Sequence, residues 1–523
     1  MAKPIAEALM PSSVRMAGMA IAMFVRSMKD STYMTKATPR IRTQRFLCGA
    51  RLVVAATTFS PQLRQRILLP KVSDHRHRGQ QTRLRPAANI STLGGRPFSC
   101  HDGRRCMRPS WISRHRAIEG ERGIVITNDR VLIVGAGPVG LVLAYRLGAA
   151  RIPVTLVEAL PDLAQDLRAS TFHPPTLEML DEIGVVQRMI ATGVVAPTFQ
   201  YRDRRDGRII GEFDFGVLRD DTRFPFRVQC EQFKVARYIY ERLRTLPDVA
   251  VRFAARATAV RQDANGVGLT IETPAGAEEL TGRYLLGADG ANSAVRGAVG
   301  IELEGFTWPE RFLVLSTPFD FAAVIDRLAP VSYYADPDEW CFCLRVPDLW
   351  RVMFPVKTET TEDTLASPEL AERLLQGFFA RDVRYDIRHR TLYRVHQRIA
   401  SNYRAGRVLL AGDAAHLNNP LGGMGLNSGI HDAVNLADTL TAVWRGANDA
   451  LLDRYTRQRR PIALEHVDAQ SRRNKAFLEE RDPGMRRRSL DEIRRIAEDP
   501  QAAYLYVRKA AMIDSLRQAA ALA

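Results

Sequence analysis

Residues 130–147 read Arg130-Val131-Leu132-Ile133-Val134-Gly135-Ala136-Gly137-Pro138-Val139-Gly140-Leu141-Val142-Leu143-Ala144-Tyr145-Arg146-Leu147. An apolar run passes into glycines and then into a second apolar segment, which predicts strand, tight turn and helix. Gly135 allows the turn, Gly137 lets a pyrophosphate approach the backbone, and Gly140 lets the helix lie close on the strand. The helix start offers free N–H groups and partial positive charge to phosphate. A second apolar run, Val154-Thr155-Leu156-Val157, ends at Glu158, 21 residues past Gly137. A carboxylate there accepts hydrogen bonds from ribose hydroxyls. A lone GxGxxG is weak evidence; with the strand, the helix and the acid at this spacing it predicts a Rossmann-type unit.

Two later segments extend that reading. Leu285-Leu286-Gly287-Ala288-Asp289-Gly290-Ala291-Asn292-Ser293 follows a predicted strand and ends before Arg296. Val408-Leu409-Leu410-Ala411-Gly412-Asp413-Ala414-Ala415-His416 is another apolar strand, running into Pro420-Leu421-Gly422-Gly423-Met424-Gly425-Leu426-Asn427-Ser428-Gly429 and a helix expected from about Ile430 to Leu440. Both put a carboxylate at the C-terminal end of a strand, where open α/β sheets bind ligands. His416 reads as a structural turn residue.

The three ordered segments resemble those of the single-component FAD-dependent aromatic hydroxylases, the para-hydroxybenzoate hydroxylase and phenol hydroxylase-like family, over roughly residues 128–465. The resemblance implies a discontinuous Rossmann-type FAD-binding domain, an inserted β-sheet substrate domain and a helical C-terminus, an α/β fold. It implies that Gly135, Gly137 and Gly140 hold the pyrophosphate and Glu158 the adenosine ribose. Arg168 and Gln232 match FAD-contacting positions, and Asp289 and Gly290 belong to a DG motif associated with FAD and NAD(P)H. Gly412 and Asp413 match the ribityl-binding site, Pro420 and Gly423 the loop beside the flavin ring, and Gly425, Leu426 and Asn427 the backbone near its pyrimidine end. A helix starting there points its positive end at the flavin and favours the anionic reduced form. The implied activity is hydroxylation of a phenolic or related aromatic compound with NADH or NADPH and O2, through a flavin C4a-hydroperoxide.

The pattern between the motifs is β-rich. Asp206-Gly207 marks a hairpin, and Val331–Tyr334, Trp340–Val346 and Trp350–Val356 read as a meander. Within this half His173 is a weak catalytic candidate beside a packing or capping reading. Tyr333 and Tyr334 read as strand core and Arg351 as solvent-facing. Asn265-Gly266-Val267-Gly268 reads as a hairpin turn, so no second dinucleotide fingerprint is expected. Past Asp438 the chain reads as helical, with Arg486-Arg487-Arg488 on a solvated face.

The formal net charge is +17, and its location matters more than its size. Residues 1–120 hold 22 of the 75 Lys and Arg but only 5 of the 58 Asp and Glu, which leaves 53 of each in the rest. The body of the chain is therefore balanced, which argues against nucleic acid as its partner. The extension has three open readings: an over-extended start, a targeting segment, or a basic arm for nucleic acid or membrane. The six cysteines form no CxxC pair and no metal-ligand spacing, and Cys341 and Cys343 would share one strand face. The apolar stretch Met16–Val25 is too short to span a bilayer.

The expected organisation is an Arg-rich, disordered or non-native extension over 1–122, FAD-binding parts at 127–197, 225–305 and 400–440, sheet parts at 198–224 and 306–399, and a helical segment at 441–523. A cytoplasmic location fits, with organellar targeting an alternative, and a homodimer stays open. Rival functions are a ubiquinone-pathway-type hydroxylase, an epoxidase or a flavin reductase of the same fold, and an inactive flavin-fold protein with a basic binding arm. Residues 124–523 expressed alone should purify yellow and oxidise NAD(P)H when an aromatic substrate is added. A colourless fragment would contradict the FAD reading.

Overall fold

A computed structural model describes residues 129–165 and 167–522; the basic extension lies outside them. Strand β1 (Val131–Val134) is buried at every position and sits at the centre of a six-stranded sheet. Its neighbours are β2 (Val154–Val157) on one side and β4 (Tyr284–Gly287) on the other, both parallel to it. β3 (Val249–Arg252) extends the sheet beyond β2, and β6 (Val408–Leu410) and β5 (Arg404–Ala405) extend it beyond β4. Continuous apolar runs suit these strands because helices and a three-stranded antiparallel sheet (Arg256–Gln262, Val267–Thr273 and Gly276–Gly282) pack into the same core. Helix α1 (Pro138–Ala149) packs against α2 (Gln232–Leu243) and α3 (Met424–Trp444).

The chain leaves this sheet after β2, after β4 and, for the short strand His416–Leu417, after β6, and builds an eight-stranded, mainly antiparallel sheet. The hairpin Thr198–Asp203 and Ile209–Asp214 forms one edge. The meander Val331–Ala335, Cys341–Val346 and Leu349–Val356 is antiparallel as the turns predict. Its first strand also pairs parallel with Thr198–Asp203, Tyr333 opposite Tyr201, a long-range contact that no local pattern announces. Alternation then sends neighbouring residues to opposite faces. Tyr333, Phe312 and Phe342 pack towards the C-terminal helices. Tyr334, Leu313, Cys341 and Cys343 pack towards the helix Pro368–Phe378. The result is the expected discontinuous α/β fold with an inserted sheet and a helical C-terminus.

Three local expectations need correction. Helix α3 starts at Met424, not near Ile430, and Gly423 caps it in a left-handed conformation with φ 66°. Its glycines mark close approach rather than loop: a Cβ on Gly429 would lie 2.8 Å from Val139 and 3.1 Å from the Gly412 Cα. Arg486 is buried, donating to the Asp203 carboxylate at 3.0 Å, while Arg487 and Arg488 stay exposed. Arg351 is only 4% exposed and donates to the Leu167 and Arg168 carbonyls.

A buried polar knot closes the fold. Asp432 on α3 is wholly buried. It accepts from His416 Nε2 at 2.6 Å, from Arg459 Nε at 2.6 Å and from the Gly412 amide at 3.2 Å. Arg459, on the helix Leu452–Ile462, also donates to Ser428 Oγ at 3.1 Å. Burial raises the Asp432 carboxyl, but His416 and Arg459 more than offset this and leave it below its ordinary value. Next to it, burial and Arg459 push His431 down from its ordinary 6.5 to about 3, against the opposing pull of Asp432.

Two outcomes follow. Asp432→Asn strands the buried Arg459 charge and should cost about 3–5 kcal/mol in urea unfolding. His431 stays neutral in the fold, whereas the unfolded chain takes up its proton below pH 6.5. Stability from this group is therefore complete above that pH and falls as pH drops towards 3, by up to about 1.4 kcal/mol per unit. Unfolding at pH 7.5 and 5 should reveal the loss, and His431→Gln should reduce it; equal slopes would refute the assignment.

Candidate functional site

The glycine loop closes on close backbone contacts. Gly135 has φ 101°, and a Cβ there would lie 2.4 Å from the Ala288 carbonyl oxygen. A Cβ on Gly140 would lie 1.9 Å from the Gly135 carbonyl oxygen, so only glycine lets α1 start this near β1. Gly137 differs: a Cβ there would meet open space. It precedes Pro138 at the start of α1, and no side chain caps that helix. Glu158 accepts from the Ala136 amide at 2.8 Å and from the Leu160 amide at 3.0 Å. Its carboxylate thus fixes the loop directly, a role the spacing argument did not include.

The other two motifs reach the same sheet edge. Gly287 at the end of β4 pairs with Val134 on one side and with Leu410 on the other. Asp289 accepts from Ser293 Oγ at 2.5 Å and from the Val295 amide at 3.1 Å, so it organises the turn into the next short helix. Gly290 follows with φ 79° and open space around it. Arg296 spans the two later motifs, donating to the Ala414 carbonyl at 3.0 Å and the Ala291 carbonyl at 2.9 Å. Sequence reading treated Arg296 only as a boundary, and its bridging role has no local signal.

Gly412 has φ 62° and Asp413 follows it in a one-turn helix. Asp413 is exposed to water at the C-terminal end of β6. The surrounding protein raises its carboxyl, and His416 and Arg168 pull against that rise. Arg168 is therefore within electrostatic reach of Asp413. Its strand of chain is held by the Ala169 carbonyl, which accepts from the Gln232 amide at 2.9 Å at the start of α2, and by Arg351 from the large sheet.

Pro420 is exposed at a tight turn closed by the Gly423 amide on its carbonyl at 2.9 Å. Gly422 and Gly423 both have positive φ, and α3 begins there without a side-chain cap. Gly425, Leu426 and Asn427 lie in its first turns. Asn427 is committed to the protein, accepting from the His173 amide at 2.9 Å and donating to the Thr171 carbonyl at 2.8 Å. His173 is wholly buried, with Nε2 2.9 Å from the Gly422 carbonyl. Burial and the nearby Arg227 hold the ring well below its ordinary value, so it is neutral. Its place is that of a brace beneath the loop.

These features suit an elongated dinucleotide. Gly137 and Gly290 face open space, two glycine-started helices have no side-chain cap on their N–H groups, and Asp413 is exposed at the end of β6. Among the described residues, no group of three His, Cys, Asp or Glu is placed to hold a metal, and no helix is long and apolar enough to cross a membrane.

The family described as FAD binding domain matches residues 128–470. Para-nitrophenol 4-monooxygenase of Pseudomonas sp. (strain WBC-3) is 37% identical over 365 residues, 69% of this chain and 90% of that protein. 6-Hydroxy-3-succinoylpyridine 3-monooxygenase of Pseudomonas putida (strain DSM 28022 / S16) is 32% identical over 365 residues, 68% of this chain and 90% of that protein. The crystal structure of p-nitrophenol 4-monooxygenase from Pseudomonas putida DLL-E4 superposes with a TM-score of 0.70 at 32% identity, covering 73% of this chain and 98% of that one. Three motifs at the ends of adjacent parallel strands, joined to this similarity, show that the chain belongs to the FAD binding domain family and, within it, to the single-component FAD-dependent aromatic hydroxylases.

Proposed function

We propose that the chain uses NADH or NADPH and O2 to place one oxygen atom on the ring of a phenolic or related aromatic compound. The observation that carries the reading is that β1, β4 and β6 are adjacent parallel strands whose C-terminal ends carry the three motifs, with Asp413 exposed just past β6 and α3 starting without a side-chain cap. Bound FAD would supply the redox chemistry, accepting hydride from the nicotinamide and activating O2.

The protein's own part is binding and orientation. The amides at the start of α1 would hold the pyrophosphate, with the positive end of that helix favouring its charge. Glu158 would hold the ribose while keeping its bond to the Ala136 amide. Arg168, Gln232, Asp289 and Gly290 would line the adenosine and pyrophosphate path, and Gly412 with Asp413 would take the ribityl hydroxyls. The turn Pro420–Gly423 and the amides of Gly425, Leu426 and Asn427 would face the flavin ring. The start of α3 would stabilise negative charge on that ring through its dipole, worth about 0.3–1 kcal/mol for a group near the surface and up to ~2 kcal/mol where it is partly buried. Above the ring, the large sheet would supply an apolar lid that excludes water.

A screen of NAD(P)H oxidation against phenols, hydroxybenzoates, anilines and hydroxypyridines, with product mass, tests the reading. Gain of a single oxygen atom is expected for at least one compound; peroxide release alone with every compound would refute it. Asp413→Ala should lower the FAD retained after purification by about tenfold, as expected for loss of a charged hydrogen-bond partner. Unchanged flavin content would remove Asp413 from the cofactor site.

A further inference from the structure

Arg227 is a buried cation without an anion. It is 2% exposed and starts the strand Arg227–Gln229, paired with Ala196. Its guanidinium lies over the rings of Phe199 and Phe215, 4.8 and 4.7 Å from their centroids. Nη2 reaches the Ala510 carbonyl at 3.5 Å, and the side-chain partner of the guanidinium is the Tyr333 hydroxyl, which carries no charge. No carboxylate among the described residues pairs with it. A cation taken out of water without a counter-charge costs several kcal/mol, so a fold keeps one when something else supplies the anion.

The groups around it do not supply one. Tyr333 lies against the guanidinium, and Tyr201 stacks on Tyr333 with ring centroids 5.3 Å apart. Tyr506 donates to the Tyr201 hydroxyl at 3.0 Å. Burial pushes all three phenols up, Tyr506 to about 12, so they remain neutral. Further along, Arg473 and Lys509 add positive charge, and the nearby Asp514 is already paired with Arg508 at 2.6 Å.

The position matters as much as the charge. Tyr333 and His173 both reach the backbone of Gly422, two residues before α3 begins. The guanidinium, without a counter-charge, therefore lies between the large sheet and the loop assigned above to the flavin ring. We propose that Arg227 is the counter-ion for an anionic oxygen carried by the aromatic substrate, a phenolate or a ring-borne carboxylate, with the Tyr201, Tyr333 and Tyr506 hydroxyls as neutral partners around it. The identity of the ligand as substrate rests on the hydroxylase reading; its negative charge does not.

Calorimetric titration of the FAD-loaded protein at pH 8 with 4-nitrophenol, benzoate and neutral 4-methylphenol tests this. The two anions should bind at least about tenfold more tightly than 4-methylphenol, the size of one charge-assisted hydrogen bond. 4-Nitrophenol and benzoate separate the phenolate from the carboxylate as the preferred group. Arg227→Met, close in volume and uncharged, should abolish the preference while keeping full FAD content and an unlowered melting temperature. A merely structural arginine would instead lower the melting temperature and leave the preference intact, which would overturn the proposal. Equal binding of anion and neutral ring by the unmodified protein would overturn it too, whether or not the variant folds, as would no binding of any of the three. Absence of oxygenated product from every aromatic tried, with the anion preference intact, would refute the hydroxylase reading and leave the anion site standing.

Discussion

Asp432 holds together three stretches of chain that are separate in sequence. It joins the Gly412 turn, the residue just past that turn at His416, and Arg459 on a helix well downstream, all against the interior of α3. Each partner is nearly inaccessible to water. At such burial the Coulomb gain must offset desolvation of both ions, which demands short, aligned bonds on every side. This constraint fixes the start of α3 relative to β6, and with it the geometry between Asp413 and the Pro420–Asn427 loop.

A second layer of the site depends on contact distances rather than charge. Gly135, Gly140 and Gly429 each occupy a place where a methyl group would strike backbone or a neighbouring side chain at under 3 Å. They draw β1, α1 and α3 into one compact unit. Gly137 and Gly290 have the opposite property, facing space that nothing in the protein fills. The same residue type thus serves packing at some positions and access at others.

Much of the site was legible in advance because its signals are local. Strand, glycine turn and helix lie within a few residues, and the two-residue spacing of Cys341 and Cys343 correctly put them on one strand face, whereas the split of Tyr333 from Tyr334 onto opposite faces was not read in advance. Arg351 and Arg486 were misread because a lone arginine carries no local mark of burial; their partners lie far away in sequence, at 167–168 and at Asp203. The start of α3 was misread because glycine lowers helix propensity, and the cost is accepted where helices must touch. Arg227 gave no sign at all, sitting in a short strand whose neighbours read as ordinary core.

By itself, the sequence determined the nucleotide unit, the order of the three motifs, the excess charge confined to the first 120 residues and the antiparallel meander. These depend on covalent spacing and backbone periodicity, which a linear string records. Tertiary structure alone decided that Val331–Ala335 runs parallel to Thr198–Asp203, that Asp432 gathers His416 and Arg459, and that Arg227 is enclosed among tyrosines without a carboxylate. Those facts arise from desolvation and from contacts between distant segments. Their energies exist only once the chain has closed around them.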